Sequence, residues 1–579
     1  MTSVLAFVAL SAACTSAQVA GPQASAGAPV GEDHLIIEGA LESDTFVGNY
    51  LAGRHAQAVR EGDRAISFFE SALEKDPENA DLNLRTGVLL VSEGQVTDAV
   101  PFLRRLPDGG SSSTVANFVL STHDMMEGRF GEAAERLAVL PDNGINQFVG
   151  PLLKAWALLG MGDTAAALES INELADTTGA EALYDLHVGL IQALAGNEAA
   201  ARRALLDSVS GTGAGAFRAV ELVGSFLERS GHPDEAIQLY QRFLGEHPDS
   251  DLVAPELARI EAGGAPKNDL ATAADGGAQA LFNLAGVFRQ QNAREMGLLF
   301  GQLALALKPD FPAAQILVGD ILESADQPAA ANEVYAKISK DSPFAWSARL
   351  RMALNLEQMD RPDDAVARLR ELAAERPSDP EALITVGSIL RGQERFEEAV
   401  EAYDEAIARI GTLEPRHWSV LYSRGMALER AKQWPRAEAD FLKALEFEPD
   451  QPYVLNYLGY SWVDQGLHLE RAMGMIEKAV DLRPNDGYVV DSLGWAHYRL
   501  GNMKDAVTEL ERAVELRPED PIINDHLGDA YWRVGRHREA RFQWSRSLGL
   551  DPEPDLMATL EDKLENGLET GTGKPGSDG

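Results

Sequence analysis

One cysteine stands in 579 residues, at Cys14. That scarcity excludes a disulfide framework and any thiolate metal cluster. Positive charge is also short: 51 Lys and Arg face 90 Asp and Glu, for a net charge of −39. A nucleic-acid partner is excluded, because phosphates must be met by concentrated Lys and Arg. The acidity is spread along the chain, as on a solvated surface that keeps a protein dispersed. Val4 to Ala13 is a short apolar run, far below the roughly 20 residues of a membrane-spanning helix. Catalytic signatures are missing too: there is no HExxH, no GxSxG, no Walker loop and no Cys placed with a His as nucleophile. The eleven histidines are scattered. His497 and His526 fall in neighbouring helices without a third ligand at metal spacing, and read as interfacial imidazoles. Asp360 to Asp364, "DRPDD", lacks EF-hand spacing and reads as a turn and helix cap. The chain is therefore expected to hold no metal, to use no cofactor and to catalyse nothing.

What is present is a period. Small residues recur every 34 or 35 positions at Gly53, Gly87, Ser121, Ala155, Gly189 and Gly224. The series resumes at Ala285 and runs through Gly319, Ala353, Gly387, Gly425, Gly459, Gly494 and Gly528, with four extra residues near Gly411. Twelve residues further on (thirteen for Ala472) stands an alanine, from Ala65 to Ala540, with Gly297 as the one exception. Each unit reads as two amphipathic helices that approach closely at these small residues and turn at positions such as Gly501-Asn502. Proline closes many units, as at Pro449, Pro484, Pro518 and Pro552, because it cannot continue a helix. A pair this short cannot bury its own apolar stripe, so pairs must stack on their neighbours.

The late units carry "LGYSWVDQG" with Ala472 and Pro484, "LGWAHYRLG" with Ala506 and Pro518, and "LGDAYWRVG" with Ala540 and Pro552. These resemble the tetratricopeptide repeat, a 34-residue helix-turn-helix with Trp, Leu-Gly, Tyr, Ala, Phe and Pro at set places. The resemblance implies an all-α fold, a right-handed superhelical solenoid of about fourteen repeats. The expected organisation is a signal and flexible linker over 1–40, about six repeats over 41–250, a linker over 251–277, about eight repeats over 278–555 and a disordered tail over 556–579.

In such a solenoid the first helix of each pair lines the concave wall, and its positions 5, 9 and 12 form one stripe. In the last three repeats that stripe holds Asn456, Tyr460 and Val463, then Asp491, Trp495 and Tyr498, then Asp525, Asp529 and Trp532, with Arg499 and Arg533 at its edge. Rings on a polar wall are typical anchors for a protein or peptide. Packing of those rings against the neighbouring first helix is the other reading. The three aspartates would repel a partner's carboxylate, so the expected ligand segment is neutral or basic.

Cys14 follows the apolar run and precedes the Ser/Ala/Gly/Pro stretch "TSAQVAGPQASAGAPVGED". This resembles a bacterial lipoprotein signal, which implies lipidation at Cys14 and residence on the periplasmic face of the outer membrane, with membrane contact only through the lipid. An ordinary cleaved signal and a cytosolic chain remain the alternatives. Along nearly its full length the chain resembles lipoprotein adaptors that recruit and activate a carboxyl-terminal processing protease against cell-wall hydrolases. A repeat scaffold of a polysaccharide-export or envelope-assembly system, or a cytosolic interaction protein, is the competing expectation.

Overall fold

The computed structural model describes residues 45–107, 111–141, 143–175, 177, 179–210, 217–247 and 252–568. The signal, the linker and Cys14 lie outside the described residues. Those described form helices and no strands, in two compact units that divide between Met359 and Asp360.

The first unit holds α1 (Phe46–Ala58), α2 (Gly62–Leu73), α3 (Ala80–Ser92), α4 (Val96–Leu103), α5 (Ser111–Met126), α6 (Phe130–Ala138), α7 (Asn146–Gly160), α8 (Thr164–Ile171) and α9 (Glu181–Leu194). It continues with α10 (Glu198–Ser208), α11 (Phe217–Arg229), α12 (Pro233–Glu246), α13 (Ala254–Glu261), α14 (Ala273–Gln290), α15 (Arg294–Leu307), α16 (Pro312–Ser324), α17 (Pro328–Tyr335) and α18 (Ala345–Gln358). The second unit holds α19 (Pro362–Glu375), α20 (Glu381–Gly392), α21 (Phe396–Ile410), α22 (Trp418–Arg430), α23 (Trp434–Phe447) and α24 (Pro452–Asp464). After these come α25 (Leu469–Leu482), α26 (Gly487–Arg499), α27 (Met503–Leu516), α28 (Pro521–Arg533), α29 (His537–Leu548) and α30 (Pro554–Asn566).

Helices pack in consecutive pairs from α1 with α2 to α11 with α12, again as α14 with α15 and α16 with α17, and from α20 with α21 to α28 with α29. The small residues explain the pairing. A methyl on Gly494 would stand 2.6 Å from Leu510 Cγ and 3.0 Å from that residue's backbone nitrogen. Its counterpart Ala506 is fully buried. Gly501 makes the turn between α26 and α27 at φ +83°, a left-handed conformation that glycine adopts without a Cβ clash. Asp360 takes φ +57° at the equivalent turn, and Pro362 with Asp363 and Asp364 opens α19. "DRPDD" is thus the turn its residues suggested, but it supplies no side-chain cap: Arg361 stands at the N-cap of α19 without a capping hydrogen bond.

The expected boundaries need three corrections. First, the expected linker 251–277 is structured over residues 252–277. Val253 and Leu270 are buried, α13 crosses it and α14 begins within it. Buried Glu256 pairs with Arg259 at 2.9 Å and Lys267 at 2.6 Å, and Arg259 holds Glu228 with two bonds of 2.7 Å. Second, the units divide at 359/360 rather than around this segment, because α14 and α15 turn back into the first unit. There α14 packs on α7 and α9, and α15 on α3 and α5. The inner face of the early repeats is filled by their own chain. Phe118 and Phe300 meet with ring centroids 5.8 Å apart, Gln302 donates to Ser92 O at 3.0 Å, and Arg218 donates to Gln279 Oε1 at 3.0 Å. His187 accepts from Trp156 Nε1 at 3.1 Å and faces Asn283 at 3.1 Å, while burial pushes its pKa down to about 3 and keeps it neutral. Third, residues 556–566 of the expected tail belong to α30, whose Leu560 is fully buried.

Candidate protein-binding wall

Three first helices, α24, α26 and α28, carry the stripe, and α26 touches both of the others. Their partners α25, α27 and α29 pack behind them and fix the faces. Trp462 and Trp544 are buried in that packing, at 1% and 0% exposure. The wall itself divides into an open part and a part already in use.

On α24, Asn456 donates to Ser492 Oγ at 3.1 Å, and its side-chain carbonyl oxygen is buried without a partner among the described residues. Tyr460 is half-buried, and burial, with Asp491 and Asp464 nearby, raises its hydroxyl well above the ordinary phenol range. On α26, Trp495 lies flat between Tyr498 (centroids 4.7 Å apart) and His526 (4.0 Å apart). His526 belongs to α28 and contacts both oxygens of buried Asp491 at 3.0 Å. Burial opposes the imidazolium, but Asp491 outweighs it and raises the His526 pKa. The Trp495 ring therefore does pack on the neighbouring first helix. Trp495 as a whole is half-buried. Tyr498 accepts from Arg533 Nε at 3.2 Å, and Arg499 grips Asp464 through its side chain and backbone oxygen.

The α28 part of the stripe is occupied. Lys563, reaching in from α30, bonds both oxygens of Asp525 at 2.8 Å and Asp529 at 2.9 Å. Trp544 Nε1 donates to Asp529 Oδ1 at 2.9 Å. Burial and the adjacent Asp525 raise the Asp529 pKa to about 6 despite the ammonium. Burial works against the Lys563 charge, yet Asp529 and Asp525 hold its pKa above the usual lysine value. Trp532 donates to Leu568 O at 3.1 Å, with Gly567 laid against its ring and His537 4.2 Å away. So the expectation of a freely acidic wall is corrected: Asp525 and Asp529 share the one ammonium of Lys563, and Asp491 is engaged by His526. Lys563 was not foreseen. Its signal was a helical spacing of Leu556, Leu560, Lys563 and Leu564 behind Pro554.

Stacked helix pairs with small residues at the contact, and a wall of alternating rings and polar groups, define a helical-repeat scaffold. Parts of the chain carry tetratricopeptide repeats. Tetratricopeptide-repeat models match residues 56–119, 222–250, 350–412 and 385–452, and a further TPR-repeat model matches 494–535. A TPR repeat-containing protein of Pseudomonas aeruginosa is 30% identical over 195 residues. That stretch is 34% of this chain and 32% of the relative, so the chain spans about a third of that relative's length. Among solved structures, the Cut9–Hcn1 hetero-tetramer of the APC/C gives 15% identity and TM-score 0.38, covering 90% of this chain and 96% of that one. YrrB, described as a TPR protein with an unusual peptide-binding site, gives 18% identity and TM-score 0.26 over 34% of this chain and 97% of its own. At such scores these likenesses add nothing to what the helix pairs themselves establish.

Proposed function

We propose that this chain is a non-catalytic adaptor, anchored by lipid at Cys14 on the periplasmic face of the outer membrane, that recruits and activates a carboxyl-terminal processing protease against cell-wall hydrolases. The repeat scaffold supports a protein-binding role, and the particular compartment and partner rest on the sequence around Cys14 and on the adaptor resemblance. The observation that carries the binding role is the open part of the wall. There the rings of Tyr460, Trp495 and Tyr498 are half-buried, and such rings beside polar groups offer a partner rigid apolar contact area. Partner choice lies in the solenoid and bond cleavage in the partner.

The test has two arms. A fatty-acid analogue should label the chain in cells and fail to label Cys14→Ser. The purified mature chain should accelerate degradation of a cell-wall hydrolase by the purified processing protease. Absence of labelling removes the anchor from the proposal, and absence of acceleration removes the protease.

A further inference from the structure

The junctions between the last repeats form a second surface, apart from the wall of α24, α26 and α28. Two of them repeat one pattern: Leu482-Arg483-Pro484-Asn485-Asp486 and Leu516-Arg517-Pro518-Glu519-Asp520. In each, the arginine closes one helix and the aspartate caps the next, Asp486 accepting from Tyr488 N at 3.1 Å and Asp520 from Ile523 N at 3.0 Å. Two residues past each cap the side chain faces water. Tyr453, Tyr488 and Ile522 are 41%, 51% and 52% exposed, an apolar ladder one rung per repeat.

The arginines lie over this ladder. Arg483 sits 5.8 Å from the Tyr453 ring centroid, and Arg517 sits 4.8 Å from that of Tyr488. Gly487 makes room for the second contact, since a methyl there would stand 2.5 Å from Arg517 Cγ. Neither guanidinium has a carboxylate or hydrogen-bond partner among the described residues. Nearby, Arg512 pairs with Glu509, Arg499 with Asp464 and Lys478 with Asp450, whereas Arg471 and Arg541 lie over Trp462 and Trp532. Two unpaired forks are unexpected in a chain of net charge −39. Between them opens a surface pocket of about 370 Å³, lined by Leu482, Arg483, Pro484, Asn485, Asp486 and Arg517. Its one carboxylate, Asp486, is already engaged by the Tyr488 amide and by the Tyr453 hydroxyl at 3.4 Å.

A guanidinium stacked on a ring keeps its in-plane N–H donors free, and that fork matches a carboxylate in bidentate fashion. Exposed tyrosines beside it offer rigid apolar contact area at low entropic cost. We propose that this junction face docks an extended acidic segment of a partner protein, its carboxylates on Arg483 and Arg517 and an apolar side chain resting between Tyr453, Tyr488 and Ile522. The negative charge of the whole chain repels acidic segments that do not seat on both forks, which makes the face selective.

The test is an anisotropy titration of the full chain with a short fluorescein-labelled peptide alternating Glu and Leu, beside a matched peptide with Gln for Glu. The Glu peptide should saturate. Arg483→Gln with Arg517→Gln should weaken it about tenfold or more, to the level of the Gln peptide. Tyr453→Ser with Tyr488→Ser, which keeps both guanidiniums, should also weaken it, and unchanged melting curves should accompany both exposed-site variants. Tyr460→Ala with Trp495→Ala should leave this titration unmoved, which separates this face from the wall. Equal binding of the two peptides, full binding by the arginine variant, or binding of anionic vesicles or an acidic polysaccharide in place of the peptide would overturn the proposal.

Discussion

Replacing Lys563 by methionine keeps most of the side chain's volume and removes its charge. The consequence is set by what it leaves behind. Asp525 and Asp529 are both buried, with side-chain exposures of 9% and 8%, and Lys563 at 11% supplies the one ammonium between them. Removing one partner of a buried ion pair costs about 3–5 kcal/mol, because the remaining charge has neither water nor counter-charge. The repeats interact chiefly with their neighbours, so the loss should appear at the end of the array. Amide exchange should rise in 521–533 and 554–566 while α20 to α23 stay protected.

The pH dependence sharpens this expectation. In the wild type, Asp529 titrates at about 6, above its ordinary 3.8. A carboxyl raised in this way favours folding below its unfolded pKa, and the preference is lost as pH rises through about 6. His526 acts in the same direction: its raised folded pKa stabilises below 6.5 and ceases to do so as pH passes the folded value. The intact clasp is therefore tighter in mild acid than in mild alkali. In Lys563→Met the carboxylates lose their counter-charge and the Asp529 pKa climbs further, so the penalty should shrink as a proton neutralises Asp529. Exchange measured by mass spectrometry at about pH 8 and about pH 5 tests this. Unchanged exchange in the variant, or a penalty equal at both values, would refute the reasoning.

Other expectations follow from the packing. Gly276 lies against the ring of fully buried Trp156, so Gly276→Val should cost about 1–3 kcal/mol in a thermal melt and expose α14 to protease. Gly494→Val should cost a similar amount, about 1–3 kcal/mol, because Leu510 and its backbone leave no room for a side chain, and the loss should localise to α26 and α27 by amide exchange. If the wall holds the processing protease, Tyr460→Ala with Trp495→Ala should weaken that complex more than about tenfold by calorimetry while helical dichroism persists.

The helix pairs were legible in the sequence because close approach of two backbones imposes a steric demand at one position per helix, and that demand repeats. Gly494 and Ala506 announce it directly. The return of α14 and α15 was not legible, since a repeat pattern encodes contacts between neighbours, while Phe300 meeting Phe118 depends on complementarity between distant surfaces. The adjacent Gly276 and Gly277, pressed on Trp156 and Met125, were the available sign of close approach. The stripe positions of the wall were found correctly as places on helices. Their chemical state was not, because Lys563 and Leu568 lie beyond the last repeat and only the folded chain carries them to Asp525, Asp529 and Trp532.

The insertion of α14 and α15 among the early repeats also alters how the first unit must form. Gln302 and Ser92 are separated by 210 positions, and Asn283 and His187 by 96. An ordinary repeat array can nucleate anywhere and grow by adding neighbours, at low contact order. Here the N-terminal helices cannot finish folding until residues beyond 300 have left the ribosome, and at usual synthesis rates of about 5–20 residues per second that is a delay of several seconds to tens of seconds. During that interval the apolar inner face of α3, α5, α7 and α9 stands open to water and to chaperones. The first unit thereby gives up the modularity of its repeats: removing the pair that contains α3, α5, α7 or α9 breaks the socket for a distant helix pair, and the loss is felt well beyond that pair's own neighbours.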